Sequence, residues 1–375
     1  MGGHKIMSKK VLLLGNHGFV IYNFRKELIK ELLKKGYEVY ISLPKDEKVD
    51  KMVEWGCKFV ETNVDRRGTN PLTDFKLVAH YIKILKEIKP DVVLTYTIKP
   101  NLYGGLACRL LNIPCINNIT GLGSGFSKSS LLKTFLSTLY KVSLKKSYCV
   151  FFQNTEDMRI LVDRNIIKGH YELIPGSGVN LEEYKFKDFP EEDVLKFIFI
   201  GRIMKDKGID QYLEAAKTIK TKHPNTQFNV IGFVEKTQPH YNDMINQLQN
   251  EGFITYLGYQ SDVKPFVKEA HCLIQASHGG EGLSNVLLEA AATGRALIAS
   301  NIPGCRETIS ENQNGYTFEA KNTSSLVEQI EKFIRLTDVE RKQMGINSRK
   351  KIEKEFDRNI VIKAYMNKID QICNK

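Results

Sequence analysis

Short apolar runs alternate with longer amphipathic stretches along the whole chain. In the first half the runs are Val11–Leu14, Val39–Leu43, Val92–Tyr96, Cys115–Ile119 and Cys149–Phe152. Runs of this length with little polar alternation suit strands buried on both faces of a parallel sheet. Helical periodicity fills the intervals near 22–35, 72–88, 101–111 and 129–147. The alternation then restarts, with strands predicted at Phe197–Ile200, Phe228–Ile231, Ile254–Leu257, Cys272–Gln275 and Ala296–Ala299. Such a pattern implies an α/β protein with two Rossmann-like, doubly wound domains. The break falls near Pro175–Pro190, where Gly, Ser, Pro and acidic residues cluster, and charged amphipathic helices are predicted over 338–355 and 358–373.

Composition narrows this picture only slightly. A chain of 375 residues with 42% hydrophobic residues holds two domains of ordinary size. No apolar run approaches the roughly 20 residues that cross a bilayer, and the first residues are polar and basic, unlike a secretory signal. Seven cysteines without a Cys-x-x-Cys pair argue against a disulfide framework or a zinc ribbon, and point to the cytoplasm. The eight histidines are scattered, so no metal is expected.

Charge is informative through its distribution. The net charge is +12; residues 1–178 hold 28 Lys/Arg against 16 Asp/Glu, while residues 179–375 hold 27 of each. No acidic residue occurs between Asp91 and Glu156, where seven Lys/Arg stand. One basic half suggests an anionic partner, a nucleic acid or a phospholipid surface. Residues 128–146 read as a basic amphipathic helix, with an apolar stripe of Leu131, Leu132, Phe135, Leu136, Leu139 and Val142 beside Lys133, Lys141 and Lys145. A core helix with a solvated basic face and a helix resting on anionic lipid both fit that pattern.

The densest chemistry lies in the second half. Glu281 and Glu289 bracket Gly282-Leu283-Ser284 at a predicted loop-to-helix junction that stops at Gly294. A helix start of this kind offers outward N–H groups to an anion. Upstream, Gly201-Arg202 and Lys207-Gly208 follow the run Phe197–Ile200. An Arg and a Lys leaving a buried strand can converge on a phosphate. Cations for a diphosphate and carboxylates for hydroxyls together suit a nucleotide-sugar.

These residues resemble the donor-binding half of a family 4 retaining glycosyltransferase with the GT-B fold. The likeness is carried by Gly201-Arg202, Lys207-Gly208, the Glu281–Glu289 pair and Ile302-Pro303-Gly304 with Glu307; Pro175–Asn180 resembles the family's interdomain segment. The resemblance implies two Rossmann-like domains facing across a cleft. Residues 1–178 would bind the acceptor, 179–355 the nucleotide-sugar, and 356–375 would be a helix returning to the first domain. It implies that Arg202 and Lys207 hold the diphosphate, Glu281 meets the donor sugar, the amides of Gly282, Leu283 and Ser284 line the sugar–phosphate, and Glu289 accepts from the ribose. Gly201 belongs to the same donor loop.

The first half matches more loosely. Gly15-Asn16-His17-Gly18 follows the first strand; its family counterpart lies beside the reacting sugar, and His17 is either an acceptor-polarising group or a structural histidine. A second glycine-rich loop, Asn118–Phe126 with Thr120 and Gly121, lacks the histidine of many relatives, and its Gly-Leu-Gly resembles polysaccharide-assembly members. Arg66, Arg67 and Lys99 are candidates for an acceptor diphosphate or plain surface charges.

The expectation is a metal-independent, cofactor-free hexosyltransferase. It would move a hexose or N-acetylhexosamine from a nucleoside diphosphate, with a lean toward UDP, to a polyprenyl-diphosphate-linked saccharide. It would sit peripherally on the anionic inner face of a bacterial membrane. An epimerase of the UDP-N-acetylglucosamine 2-epimerase type shares the fold and is the alternative enzyme. A basic nucleic-acid-binding protein would explain the charge but not the paired glutamates, so no nucleic-acid partner is expected.

Overall fold

The computed structural model describes residues 8–65, 70–122, 130–191 and 193–374. Its contacts divide the chain into two compact units, residues 1–177 with 359–375, and residues 178–358.

Unit 1 is built on a parallel sheet of β1 (Lys10–Leu14), β2 (Glu38–Leu43), β3 (Lys58–Glu61), β4 (Val92–Tyr96), β5 (Cys115–Ile119), β6 (Cys149–Phe152) and β7 (Tyr171–Leu173). Their spatial order is β3-β2-β1-β4-β5-β6-β7. β4, β5 and β6 are buried throughout, as their unbroken apolar or amide-rich sequences require. The last helix, Arg358–Cys373, contributes Val361, Tyr365, Met366 and Ile369 to the core of this unit. Asn118 donates to the Tyr365 hydroxyl at 2.5 Å. Asp370 accepts from the Tyr37 hydroxyl at 2.8 Å and pairs with Lys35 at 3.1 Å.

Unit 2 carries β8 (Leu195–Ile200), β9 (Thr226–Ile231), β10 (Thr255–Tyr256), β11 (Cys272–Gln275), β12 (Ala296–Ser300) and β13 (Gly315–Phe318), all parallel, in the order β10-β9-β8-β11-β12-β13. β11 and β12 are wholly buried, and helices Ile209–Lys222 and Asn285–Ala292 bury their apolar faces against the sheet core. Both sheets reverse their winding once, between β1 and β4 in unit 1 and between β8 and β11 in unit 2. At such a reversal the loops leaving the two central strands part, and the crevice between them is where α/β sheets take ligands.

β3, β7 and β13 were not among the predicted strands. β3 and β7 are short and half exposed, with burial patterns that lack a fully buried run, and β13 opens on a glycine. Gly315 is needed there: a Cβ would lie 2.0 Å from the Leu297 carbonyl oxygen of β12. The two chain segments that connect the units run side by side within unit 2. Val179 pairs in parallel with Asp357, and the Val179 and Arg358 amides donate to Phe356 and Val179 carbonyls at 2.9 and 3.0 Å. Gly178, at φ +63°, passes so close that a Cβ would meet the Arg358 Cα at 2.5 Å.

Candidate functional site

The loops after β8 and β11 converge at the reversal point of unit 2. After β8 the chain runs through Gly201 and Arg202 into a tight turn, Lys205–Lys207, and enters helix Ile209–Lys222 through Gly208 at φ +73°. A Cβ on Gly208 would lie 1.9 Å from the Ala276 carbonyl oxygen, so the Lys207 turn abuts the end of β11 directly. That approach delivers Lys207 to the loop after β11, where its ammonium forms an ion pair with Glu281. Ser277, fully buried, donates to the same Glu281 oxygen at 2.7 Å. The Lys207 and Glu281 side chains keep 22% and 13% of their surface, so the pair is partly screened yet reachable.

Glycines also shape the Glu281 side. Gly304, at φ +83°, lies against Glu281 and Gly282, where a Cβ would come within 2.8 Å of their backbone. Its amide donates to the Glu307 carboxylate at 2.7 Å, and its carbonyl accepts from the Ser284 amide at 2.8 Å. The Ser284 amide is therefore engaged by the Gly304 backbone. Gly282, Leu283 and Ser284 are all buried beneath the loop, and Ser284 caps helix Asn285–Ala292 without a side-chain cap bond.

Glu289 lies in the second turn of that helix. Burial pushes its carboxyl up to about 7, opposed by a hydrogen bond from Tyr184 and by the Arg358 charge. Burial, with Glu289 beside it, likewise pushes the Tyr184 hydroxyl up. Arg202 pairs with a different carboxylate, its Nη1 3.2 Å from the buried Glu235. The Gly201 amide continues the sheet ladder, donating to Ile231 at 3.0 Å. The loops after β8 and β11 thus carry a half-exposed guanidinium, an ammonium paired with a carboxylate, and, on the helix that follows, a second carboxylate. Such a set can bind an anionic group flanked by hydroxyls. Glu235, Ser277, Tyr184 and Arg358 carry no spacing signal: Glu235 follows β9, Ser277 shares the loop of Glu281, Tyr184 precedes β8, and Arg358 opens the last helix.

At the reversal point of unit 1 the groups are mostly neutral. His17 caps helix Gly18–Lys34, its Nδ1 accepting from the Phe19 amide at 3.1 Å, and lies 3.3 Å from Asp46. Asp46 accepts from the Gly18 amide at 2.8 Å, and a Cβ on Gly18 would strike it at 2.1 Å. Gly15 lies against Ile21. Asn16 and Thr97 each bury a side-chain oxygen without a hydrogen-bond partner among the described residues, and Thr97 follows β4 at φ +71°. Thr120 and Gly121 open the loop after β5, which is described as far as Leu122, with Gly121 at φ +117°.

Of the proposed acceptor cations, Lys99 is held by Asp74 at 2.6 Å, and the Tyr103 hydroxyl donates to the same carboxylate at 2.7 Å. Arg66 and Arg67 lie outside the described residues, as do Gly123–Phe126 and Lys128. The basic helix is Ser130–Ser143, and its stripe divides: Leu136 and Leu139 pack inward, while Phe135 and Val142 are exposed. Lys133 and Lys141 line a groove of about 500 Å³ with Ser137 and Arg164; Lys145 lies beyond the helix end.

Among the described residues, no three His, Cys, Asp or Glu are placed to hold a metal ion, and no helix is long and apolar enough to cross a membrane.

Two family models match the two halves: "Glycosyl transferase 4-like" over residues 10–154 and "Glycosyl transferases group 1" over residues 180–351. The chain is 26% identical to the N,N'-diacetylbacillosaminyl-diphospho-undecaprenol alpha-1,3-N-acetylgalactosaminyltransferase of Campylobacter jejuni, over 97% of this chain and 99% of that protein. It is also 26% identical to the UDP-Gal:alpha-D-GlcNAc-diphosphoundecaprenol alpha-1,3-galactosyltransferase of Escherichia coli, covering 82% of this chain and 83% of the relative. Among solved structures, a glycosyltransferase from Rickettsia africae superposes with a TM-score of 0.80 at 19% identity, over 98% of this chain and 99% of that one.

Proposed function

The chain belongs to the two-domain GT-B glycosyltransferases of the group 1 and 4-like type, and from that premise we propose that it transfers a hexose or N-acetylhexosamine from UDP to a saccharide carried on a polyprenyl diphosphate. The observation that carries this reading is the Lys207–Glu281 pair at the reversal point of the unit 2 sheet, with Arg202 on the same loop as Lys207. The acceptor class follows both relatives, whose substrates are named as diphosphoundecaprenol-linked saccharides, and the donor follows the Escherichia coli enzyme, named for UDP-Gal.

In this reading Arg202 and Lys207 bind the diphosphate. As the bond from the sugar C1 to the phosphate oxygen breaks, its electron pair leaves with UDP, and the two cations stabilise the charge that grows there. The acceptor hydroxyl attacks C1 from the same face, its proton passes to the departing phosphate oxygen, and the configuration is retained. Glu281, held by Lys207 and Ser277, contacts the donor sugar. Glu289 accepts from the ribose hydroxyls. Neutralisation of the diphosphate is assigned to the two side chains rather than to a metal ion.

Unit 1 would bind the acceptor, with Gly15–Gly18, Thr120 and Gly121 near the reacting sugar and Arg66, Arg67 and Lys99 toward the lipid diphosphate. The protein would work at the cytoplasmic face of the membrane, drawn to anionic lipid by the basic half of the chain. The test is transfer from UDP-sugars to a diphosphate-linked lipid acceptor. Release of UDP that requires the acceptor supports the reading. Conversion of the UDP-sugar to an epimer without acceptor would replace it with the epimerase.

A further inference from the structure

We propose that Glu235 is the positioning residue for Arg202, fixing the guanidinium toward the donor diphosphate; the inference rests on the assignment of Arg202 to that group. Arg202 stands on the segment leaving β8 with 42% of its side chain in solvent, and an arginine so exposed would otherwise sample many rotamers. Glu235 restricts it. Its side chain keeps only 8% of its surface, and its Oε2 accepts from Arg202 Nη1 at 3.2 Å.

The carboxylate is itself placed by backbone. The loop after β9 is locked to the loop after β8. Ile203 donates to Phe233 at 2.9 Å, Glu235 donates back to Ile203 at 3.0 Å, and Ile203 pairs with Val234. Two residues after Ile203, the Lys205 amide donates to the Gln238 side chain at 2.8 Å. The two loops touch so closely at Gly232 that a Cβ would lie 1.8 Å from the Gly201 carbonyl oxygen. The path from sheet to guanidinium therefore runs through a buried group on rigid backbone.

Charge alone argues against a carboxylate here, because it weakens the pull of Arg202 on an anion. Its presence makes sense as geometry: a planar guanidinium held at one edge presents its other N–H groups in a fixed fork. Geometry and charge then predict opposite signs for one substitution. Glu235→Gln keeps an oxygen acceptor and removes the charge, so UDP affinity should stay within about threefold of wild type or improve. The value of kcat should fall about tenfold or more, because a neutral amide holds the guanidinium less firmly than the charge-assisted pair does, and small misplacements at a reacting centre are costly. Glu235→Asp, which retracts the carboxylate, should lose kcat as well, and Glu235→Ala should lose the most.

The test is a double-mutant cycle with Arg202→Ala, read as kcat, KM and UDP affinity. Glu235 acting through Arg202 predicts that Glu235→Ala costs less than about threefold once Arg202 is absent. An equal loss in both backgrounds would mean that Glu235 only supports the fold, and would overturn the proposal. So would a Glu235→Gln enzyme with kcat within threefold of wild type. Should Arg202→Ala itself leave transfer within threefold, the diphosphate assignment fails first, and the role of Glu235 falls with it.

Discussion

The two sheets reverse at equivalent places, yet they hold different chemistry there. At β8 and β11 the departing loops pair Lys207 with Glu281, and the neighbouring loop after β9 pairs Glu235 with Arg202. At β1 and β4 they bring Asn16, His17 and Thr97, mostly neutral groups with two buried oxygens lacking partners among the described residues. Net charge runs the other way: the excess of +12 belongs to residues 1–178, while residues 179–375 balance. The lesson is that a fold supplies the crevice and individual side chains supply the reaction. Whole-domain charge indicates what surface a domain meets, not where its anion-binding site lies.

The comparison breaks most visibly at the donor cations. Lys207→Ala and Arg202→Ala should each lower kcat by about 10²–10³ if both act on the departing diphosphate as proposed. Because the Lys207 and Arg202 side chains are 22% and 42% exposed, neither change should unfold unit 2. Assays with a soluble acceptor should show the full loss. Substituting Lys99 should instead matter only with a diphosphate-linked acceptor, and should also loosen Asp74 and Tyr103. A Lys99 variant equally impaired with both acceptors would erase the proposed division between the units.

Glu289→Ala should weaken UDP binding roughly tenfold or more, as expected for hydrogen bonds to a charged group. A pH series sharpens this. The folded carboxyl titrates at about 7 against an ordinary value of 4.5, so the folded protein keeps the proton to higher pH. Stability should therefore fall as pH rises between those values, by up to about 3 kcal/mol, and level off above. UDP affinity should rise over the upper part of that range, because the ionised carboxylate is the better acceptor. Glu289→Gln should remove both trends; persistence of either in that variant would place the titrating group elsewhere.

Much of this architecture is legible in the sequence because the central strands are unbroken apolar runs. β3, β7 and β13 escaped because edge or glycine-led strands lack such a run. Residues 128–146 read as a helix with one apolar stripe, whereas in the observed helix Ser130–Ser143 packing turns Leu136 and Leu139 inward and leaves Phe135 outside. At the site, Arg202, Lys207, Glu281 and Glu289 stood out through local spacing. Glu235 and Ser277 did not, because their partners are made by strand order and by glycines such as Gly208 and Gly232 that let backbones touch.

Smaller effects belong to unit 1. Replacing Lys133, Lys141 and Arg164 by Gln should reduce binding to anionic vesicles, each cation contributing about 1 kcal/mol near the surface. Transfer to a soluble acceptor should be unchanged. Equal sedimentation of the variant and wild type would remove this groove from the membrane surface. His17→Ala should cost about 1 kcal/mol through the lost helix cap. His17→Asn, another capping residue, should recover that stability in a denaturant melt, and recover activity too unless the imidazole itself assists transfer.

The central claim is that the crevice between β8 and β11 holds the diphosphate of a nucleotide-sugar. Thermal unfolding with and without UDP tests it most directly, in wild type, Lys207→Ala and Arg202→Ala. At 100 times its dissociation constant a ligand adds about 2.7 kcal/mol, a clear upward shift in Tm. The account predicts that shift for wild type, and its loss or sharp reduction at the same UDP concentration in both variants. Equal protection of all three proteins would contradict it, and would place the diphosphate away from Arg202 and Lys207.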